Sequence, residues 1–314
     1  MKHQQVDGRS CLSLGLQGGG SFGAFTWGVL DRLLERDGPD LEMISGASAG
    51  ALNAVVLANG LAAGGRTEAR ARLTRLWERV GHAILAGATV TAAAVEWARL
   101  ASPYQLNPLG FNPLRDLLAE VDFERLRAQS PVRLLISATR VRDGHPRLFR
   151  EHEITLEAVL ASACLPFLQQ AVVIDGEAYW DGGYSANPPL RQLVVDTSAA
   201  DILLVQLVPE VHEAVPQLSH EIAKRVREIG FNASLLREQE AVAELRRACE
   251  GQRLFRSELC RKLDGLQFHR IAAPEAIEGL AQESALDTSW SFLQRLHRGG
   301  RAASERWLDE WQRG

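Results

Sequence analysis

Only four of the 314 residues are cysteines, at positions 11, 164, 249 and 260. None forms a C-x-x-C pair, and no nearby histidine completes a zinc pattern, so neither a dithiol redox motif nor a structural zinc site is expected. Cys11 and Cys164 sit in apolar runs and read as small core residues, and the set suits a reduced, cytoplasmic setting. Long hydrophobic runs are missing too. No stretch of about 18 uncharged apolar residues exists, which excludes a membrane-spanning helix on length. The first ten residues are polar and offer no signal-peptide core. Association with a membrane surface is left open. Nor is there an excess of positive charge: 35 Lys and Arg stand against 39 Asp and Glu, a net charge of −4, so nothing argues for a nucleic-acid partner. With 27 glycines and 12 prolines and no repeat period, collagen-like and low-complexity readings fall away. What remains, 46% hydrophobic and 24% charged residues, is ordinary globular composition. It suits two domains or one large α/β domain.

The chain opens with alternating signals. Residues 11–16 read as a short buried strand that runs into Gln17-Gly18-Gly19-Gly20. From Ser21 to about Arg36, Phe22, Phe25, Val29, Leu30, Leu33 and Leu34 recur at helical spacing. Asp37-Gly38-Pro39-Asp40 stops that helix, and residues 41–45 form a second strand. Gly46 to Gly50 then leads into a small-residue helix. A strand, a crossover helix and a second strand is the unit of a parallel sheet. Further strands are expected at 132–141, 147–150, 171–174, 177–180 and 201–208, with Asp175-Gly176 marking a hairpin. Beyond about residue 217 the pattern is helical, apart from a short strand near 267–271. The expected fold is therefore α/β: a central, mainly parallel sheet with helices on both faces, plus a helical C-terminal extension.

Three elements carry chemistry. Gly18 to Gly23 matches G-x-G-x-x-G between a strand and a helix. Such a loop aims backbone N–H groups at an anion, and it is also the dinucleotide fingerprint. The dinucleotide reading wants an acid at the end of the second strand. That strand ends in Ser45-Gly46, while Asp40 and Glu42 stand at its start. Gly46-Ala47-Ser48-Ala49-Gly50 matches G-x-S-x-G in the strand-to-helix context of a nucleophile elbow, which would lift the Ser48 hydroxyl above the sheet edge. It also fits a helix start capped by a serine. If the two strands are parallel, both loops leave the same edge of the sheet, and the glycine N–H groups can serve as an oxyanion hole facing Ser48.

A serine nucleophile needs a base. Histidines stand at 3, 82, 145, 152, 212, 220, 269 and 297, and none lies in a small-residue turn that would expose it beside Ser48. Asp181 differs: it ends a strand and precedes Gly182-Gly183, with Asn187-Pro188-Pro189 fixing the chain soon after. An ordinary Asp-Gly turn is the plainer alternative.

Taken in this order, Gly18–Gly23, Gly46–Gly50 and Asp181–Gly183 resemble the patatin-like phospholipase family, whose pattern is G-G-G-x-x-G, G-x-S-x-G and D-G-G or D-G-A. The run Ala161-Ser162-Ala163-Cys164-Leu165-Pro166-Phe167 is similar to the small-residue helix end that precedes the family's aspartate hairpin. The resemblance covers roughly residues 11–210. It implies a three-layer α/β/α catalytic domain over 11–210, with residues 211–314 as a helical extension packed on it. It implies a Ser–Asp dyad of Ser48 and Asp181, with Gly18, Gly19, Gly20 and Gly23 lining the oxyanion hole. Gly46, Gly50, Gly182 and Gly183 support the elbow and the dyad loop. The implied reaction is hydrolysis of carboxylic esters of lipids through an acyl-enzyme, with no cofactor and no metal. Two positions depart from the pattern: Phe22 stands where many bacterial and plant members carry Arg or Lys, and Gln17 where plant members often carry Asp. An unperturbed aspartate is a weak base for a serine hydroxyl, so burial must raise its pKa; Trp180 and Tyr184 are candidates for the apolar wall.

Two alternatives stay open at this point: a Ser-His-Asp α/β-hydrolase esterase, and a non-catalytic lipid-binding or scaffold protein with a relic pocket. The first is disfavoured because Ser48 follows only two strands. The expected partner is a lipid or lipid-like ester, with peripheral membrane contact open. Leu73, Trp77, Ile84, Leu85, Val90, Val95 and Trp97 mark a packed helix or a lid. Leu286, Trp290, Leu293, Leu296, Trp307, Leu308 and Trp311 form an amphipathic pattern that suits a docking helix or dimer face, although its tryptophans would also suit a headgroup boundary.

Overall fold

The computed structural model describes residues 5–6, 9–35, 38–83, 102–211, 215–250, 257–277, 279–280 and 284–313. Among them, nine strands form one mixed sheet. They are β1 (Gln5–Val6), β2 (Arg9–Leu16), β3 (Asp40–Gly46), β4 (Arg133–Arg140), β5 (Pro146–Arg150), β6 (Val172–Ile174), β7 (Glu177–Asp181), β8 (Asp201–Gln206) and β9 (Gln267–Ala272). The order along the sheet is β6-β7-β4-β3-β2-β8-β9. Strands β4, β3, β2, β8 and β9 are mutually parallel, and β5, β6 and β7 add antiparallel pairs at one side.

The centre of the sheet explains its own sequence. A parallel strand covered on both faces loses the polar alternation of a half-exposed one. Every residue of β8 is buried, as are Leu12 to Leu16 of β2. Helix α1 (Gly23–Leu33) makes the crossover between β2 and β3. Helix α2 (Ala49–Ala83) follows β3 and bends at Gly64–Gly65. Asp175 and Gly176 both take positive φ in the β6–β7 hairpin, as its two-residue turn requires. Short helices α3 (Pro103–Leu106), α4 (Pro113–Leu117), α5 (Phe123–Gln129), α6 (Leu156–Ser162) and α7 (Leu190–Asp196) complete the first two thirds.

The C-terminal third supplies α8 (Ser219–Glu250), α9 (Glu258–Gly265), α10 (Ala273–Ala276) and α11 (Trp290–Trp311). Its strand β9 pairs parallel to β8, so this third extends the sheet as well as packing on it. The tryptophan pattern is a docking face. Phe292, Leu293, Leu296, Trp307, Leu308 and Trp311 are all buried, and Trp27 of α1 stacks on His297 with ring centroids 3.8 Å apart. Asp31 of α1 anchors the same contact, bound by Arg70 at 2.7 Å and by Arg301 of α11. Burial acts to raise this carboxyl, but His297, Arg70 and Arg301 outweigh it and hold the group well below the usual carboxylate range. Leu73 and Trp77 are core residues, the Trp77 indole donating to Asn53 Oδ1 at 3.0 Å. The rest of that candidate wall, residues 84–100, lies outside the described residues.

One expectation is corrected. Cys249 and Cys260 form a disulfide between α8 and α9, where the sequence suggested four reduced thiols. Motif spacing could not reveal the pair, because it depends on two helices folding back around a shared apolar cluster that includes Val242 and Leu263. Cys11 and Cys164 are free.

Candidate active site

The strands fix where the site must lie. Because β2 and β3 are parallel, the glycine loop and the G-x-S-x-G turn leave the same edge of the sheet. Strand β7 is antiparallel to β4, with Asp181 opposite Ala138, and its last residue reaches that edge. Ser48 stands in the left-handed region at φ 52, directly before α2. A non-glycine residue held there is strained and persists only where its surroundings over-determine it. Here the surroundings are specific. Ser48 N–H donates to Ser162 Oγ at 3.0 Å and lies 3.2 Å from the Ser162 carbonyl, so the end of α6 clamps the turn.

Ser48 Oγ donates to Asp181 Oδ2 at 2.6 Å. The other carboxylate oxygen accepts Gly183 N–H at 2.7 Å. Asp181 is fully buried and Ser48 is 7% exposed. Burial pushes the Asp181 carboxyl up to about 7, against the lowering effect of the hydrogen bonds from Ser48 and Gly183. The polar partners of this carboxylate are thus a hydroxyl and an amide. Among the described side chains the histidines are engaged elsewhere or stand apart: His269 binds Asp201, His297 lies beside Asp31, and His82 sits against the Glu78 carbonyl. His3 and His212, and the side chain of His220, lie outside the described residues.

The surrounding wall is partly as expected. Tyr184 packs edge-on against Phe231 of α8, with centroids 5.1 Å apart. Burial, and then the Asp181 charge, push its phenol up to about 12. The hydrogen bond to Asp181 that a tyrosine at this position could offer is not made. Trp180 is half-buried.

The four loop glycines are not equivalent. Gly18 N–H donates to Asn187 Oδ1 at 2.7 Å, and Gly23 N–H turns back to the carbonyls of Gly20 and Ser21. The N–H groups of Gly19 and Gly20 have no partner among the described residues. Gly18 has a different necessity: a Cβ there would lie 2.7 Å from Ser48 Cβ. Gly20 takes φ +57, and a Cβ would meet the Ala285 carbonyl at 2.3 Å. Gly46 backs onto the Gly50 backbone, and Gly50 onto the Leu16 carbonyl. Gly182 backs onto Ser137, and Gly183 onto the Phe231 ring. Phe22, at the position of the missing cation, turns into the core edge-on to Phe292.

Several residues that hold the site were invisible or undervalued in the sequence. Gln17 is fully buried: its Oε1 accepts Leu207 and Val208 N–H, and its Nε2 donates to Asn232 Oδ1 at 3.1 Å. Ser234 donates to the Gly183 carbonyl at 3.0 Å. Ser21 N–H donates to the Ala285 carbonyl at 2.9 Å. Asn187 could have been found from its place before two prolines, and Ser162 from its small-residue run. Asn232, Ser234 and Ala285 carry no local signal.

The sequence matches the family model described as Patatin-like phospholipase over residues 14–194, more than half of the chain. The chain belongs to the patatin-like phospholipase family. The matched span ends after β7 and the Asp181 loop, so it contains every site residue expected from the sequence. A search among curated proteins gives no match. Among solved structures, the crystal structure of VipD from Legionella pneumophila aligns with 96% of this chain and 67% of its own, at 14% identity and a TM-score of 0.47. Membership in the patatin-like family accounts for the three-layer arrangement of a mostly parallel sheet between helices. No described helix is long and apolar enough to cross a membrane.

Proposed function

We infer that this chain is a serine acyl hydrolase that cleaves carboxylic esters of lipids through a Ser48–Asp181 dyad. The observation that carries the reading is the 2.6 Å hydrogen bond from Ser48 Oγ to a fully buried carboxylate. A base with its pKa near the working pH is the efficient choice for general catalysis, and burial brings Asp181 to about 7.

In the first half-reaction, Ser48 Oγ attacks the ester carbonyl carbon while its proton passes to Asp181 Oδ2. The carbonyl π electrons move to oxygen, and that oxyanion is received by the N–H groups of Gly19 and Gly20. Collapse of the tetrahedral species restores the carbonyl and breaks the bond to the alcohol oxygen, which takes the proton from Asp181. An acyl-Ser48 ester remains. In the second half-reaction water attacks that ester, Asp181 takes the water's proton, and collapse returns the proton to Ser48 as the fatty acid leaves. Each donor of an oxyanion hole contributes about 3 kcal/mol to transition-state stabilisation. Gly18 serves differently, letting the loop approach Ser48 closely, while Asn187 draws its N–H away from the site.

The residues around the dyad favour this reading over a histidine-using triad, because the second oxygen of Asp181 is taken by Gly183 N–H rather than by an imidazole. Phe22 adds apolar packing and no charge at the oxyanion loop, which supports neutral esters as substrates. The test is hydrolysis of a chain-length series of p-nitrophenyl esters and of phospholipids by the parent and Asp181→Asn. The reading expects activity in the parent, increasing toward longer acyl chains, and its loss in Asp181→Asn. Retained rates in that variant would overturn the dyad.

A further inference from the structure

The apolar residues that a lipid hydrolase needs at a water–lipid boundary are not the C-terminal tryptophans: Trp307 and Trp311 are buried against each other, His269 and Asp201, and the half-buried Trp290 stacks on Trp27 of α1. Two other segments stand out. Residues 102–114 and 158–174 contain no charged residue in a chain that is 24% charged. The fold joins them: Gln170 Nε2 donates to the Asn107 carbonyl at 2.7 Å, Gln169 Nε2 to Asn112 Oδ1 at 3.1 Å, and Ala171 N–H to Tyr104 Oη at 3.2 Å. These bonds tie the two segments together, and several of their large apolar side chains face outward. Leu109 is 94% exposed, Phe111 65%, Phe167 62% and Tyr104 57%. Isolated exposed apolar residues need no explanation, but an uncharged cluster of aromatic and leucine side chains does.

This surface is tied to the dyad through the backbone. The Cys164 carbonyl, at the start of the Phe167 loop, accepts Asp181 N–H at 2.8 Å. A second apolar strip lies on α8, whose Phe231 and Ser234 contact Gly183 of the dyad loop. Ile222, Val226 and Ile229 recur at helical spacing on the outward face of α8, all exposed. Two residues further on, and so on a different face of the same helix, Phe231 touches Gly183. The nearby cations Lys224 and Arg225 are paired with Glu228.

Resting on the reading of the site given above, we propose that the surface of Tyr104, Leu109, Phe111 and Phe167 docks the enzyme onto an electrically neutral lipid–water interface. The chemistry of the surface selects that occupant. A surface for anionic lipids carries clustered Lys and Arg, and attraction to it is screened by salt. Here the docking face has no charge to offer, so the gain comes from removing apolar side chains from water, which salt does not weaken. Aromatic rings that keep one polar end, as Tyr104 does, suit the headgroup level.

The experiment is flotation of the Ser48→Ala protein with phosphatidylcholine vesicles in dilute and in molar salt, compared with the same protein carrying Leu109→Asp and Phe111→Asp. Both side chains are exposed, so the core is left intact. A second variant, Phe167→Asp, tests the facing segment separately. The expected result is co-flotation at both salt concentrations and at least a tenfold loss of bound fraction in each variant. Any of four results would overturn the proposal: no flotation of the parent, binding that requires anionic lipid and disappears in salt, variants that float as the parent does, or a parent dimer that the variants split, which would make the face a contact between two copies. Hydrolysis of soluble p-nitrophenyl acetate by the Ser48 protein keeps the two readings apart. Flotation without hydrolysis overturns the assigned reaction alone, and hydrolysis without flotation overturns the docking surface alone.

Discussion

Replacing Asp181 by asparagine should change how stability depends on pH, in a direction set by burial. The carboxyl is fully enclosed and, among the described residues, its hydrogen-bond partners are Ser48 Oγ–H and Gly183 N–H, so enclosure dominates and raises its pKa from 3.8 to about 7. Between those two values the folded chain keeps a proton that the unfolded chain has released. Stability therefore falls as pH rises through that window, and the loss is complete above about 7. Its size is roughly 4 kcal/mol, at about 1.4 kcal/mol for each tenfold difference in proton affinity. Asparagine has no such proton to lose, and its carbonyl oxygen can still accept from Gly183. The assay is urea unfolding of parent and Asp181→Asn across a pH series from about 4 to 9, with the variant's stability minus the parent's plotted against pH. Every other titrating group is common to both chains and cancels. The difference should climb in the variant's favour by several kcal/mol from acid to alkaline pH. Parallel curves, or a difference that moves toward the parent, would refute the reasoning. The same ionisation should make kcat/KM of the parent rise with pH through about 7, so that activity appears in the window where stability declines.

Other expectations follow from single contacts. Ser48→Ala and Ser48→Gly should both abolish ester hydrolysis, yet the glycine variant should unfold at higher urea, by about 1 kcal/mol, because only the left-handed backbone distinguishes them. Gly18→Ala should lower kcat about a hundredfold, since its new methyl group must displace Ser48. Asp31→Asn should cost about 1 kcal/mol in urea unfolding, because Arg70 and Arg301 lose one carboxylate and keep the other they share, Glu35.

The parts of the fold that could be read from the sequence are those with a local cause. The alternating leucines of β2 announce a buried strand, and Asp175-Gly176 announces a hairpin, because turn geometry and burial act on neighbouring residues. The G-x-S-x-G turn and the glycine loop were legible for the same reason, and their parallel strands alone put them on one edge. Asp181 stood out locally, at a strand end before two glycines, but an ordinary Asp-Gly turn fits the same residues, and the family pattern was needed to choose between them. What stayed hidden is long-range. Asn232 meets Gln17 across 215 positions, Ser21 meets Ala285, and Cys249 finds Cys260 only once two helices have packed. The division of labour within the glycine loop was hidden too. Asn187 Oδ1 takes the Gly18 N–H, while those of Gly19 and Gly20 have no partner among the described residues, and no spacing rule contains that information.

The central claim is that a buried aspartate alone activates Ser48. Its most direct measurement is the rate of covalent labelling by a fluorophosphonate at pH 8, with the adduct mapped by mass spectrometry in the parent, in Asp181→Asn and in each of the eight His→Ala variants. The account predicts one adduct on Ser48, slowed at least about a hundredfold in Asp181→Asn and unchanged in every histidine variant. Labelling at the parent rate in Asp181→Asn, or its loss on removal of any one histidine, would contradict it.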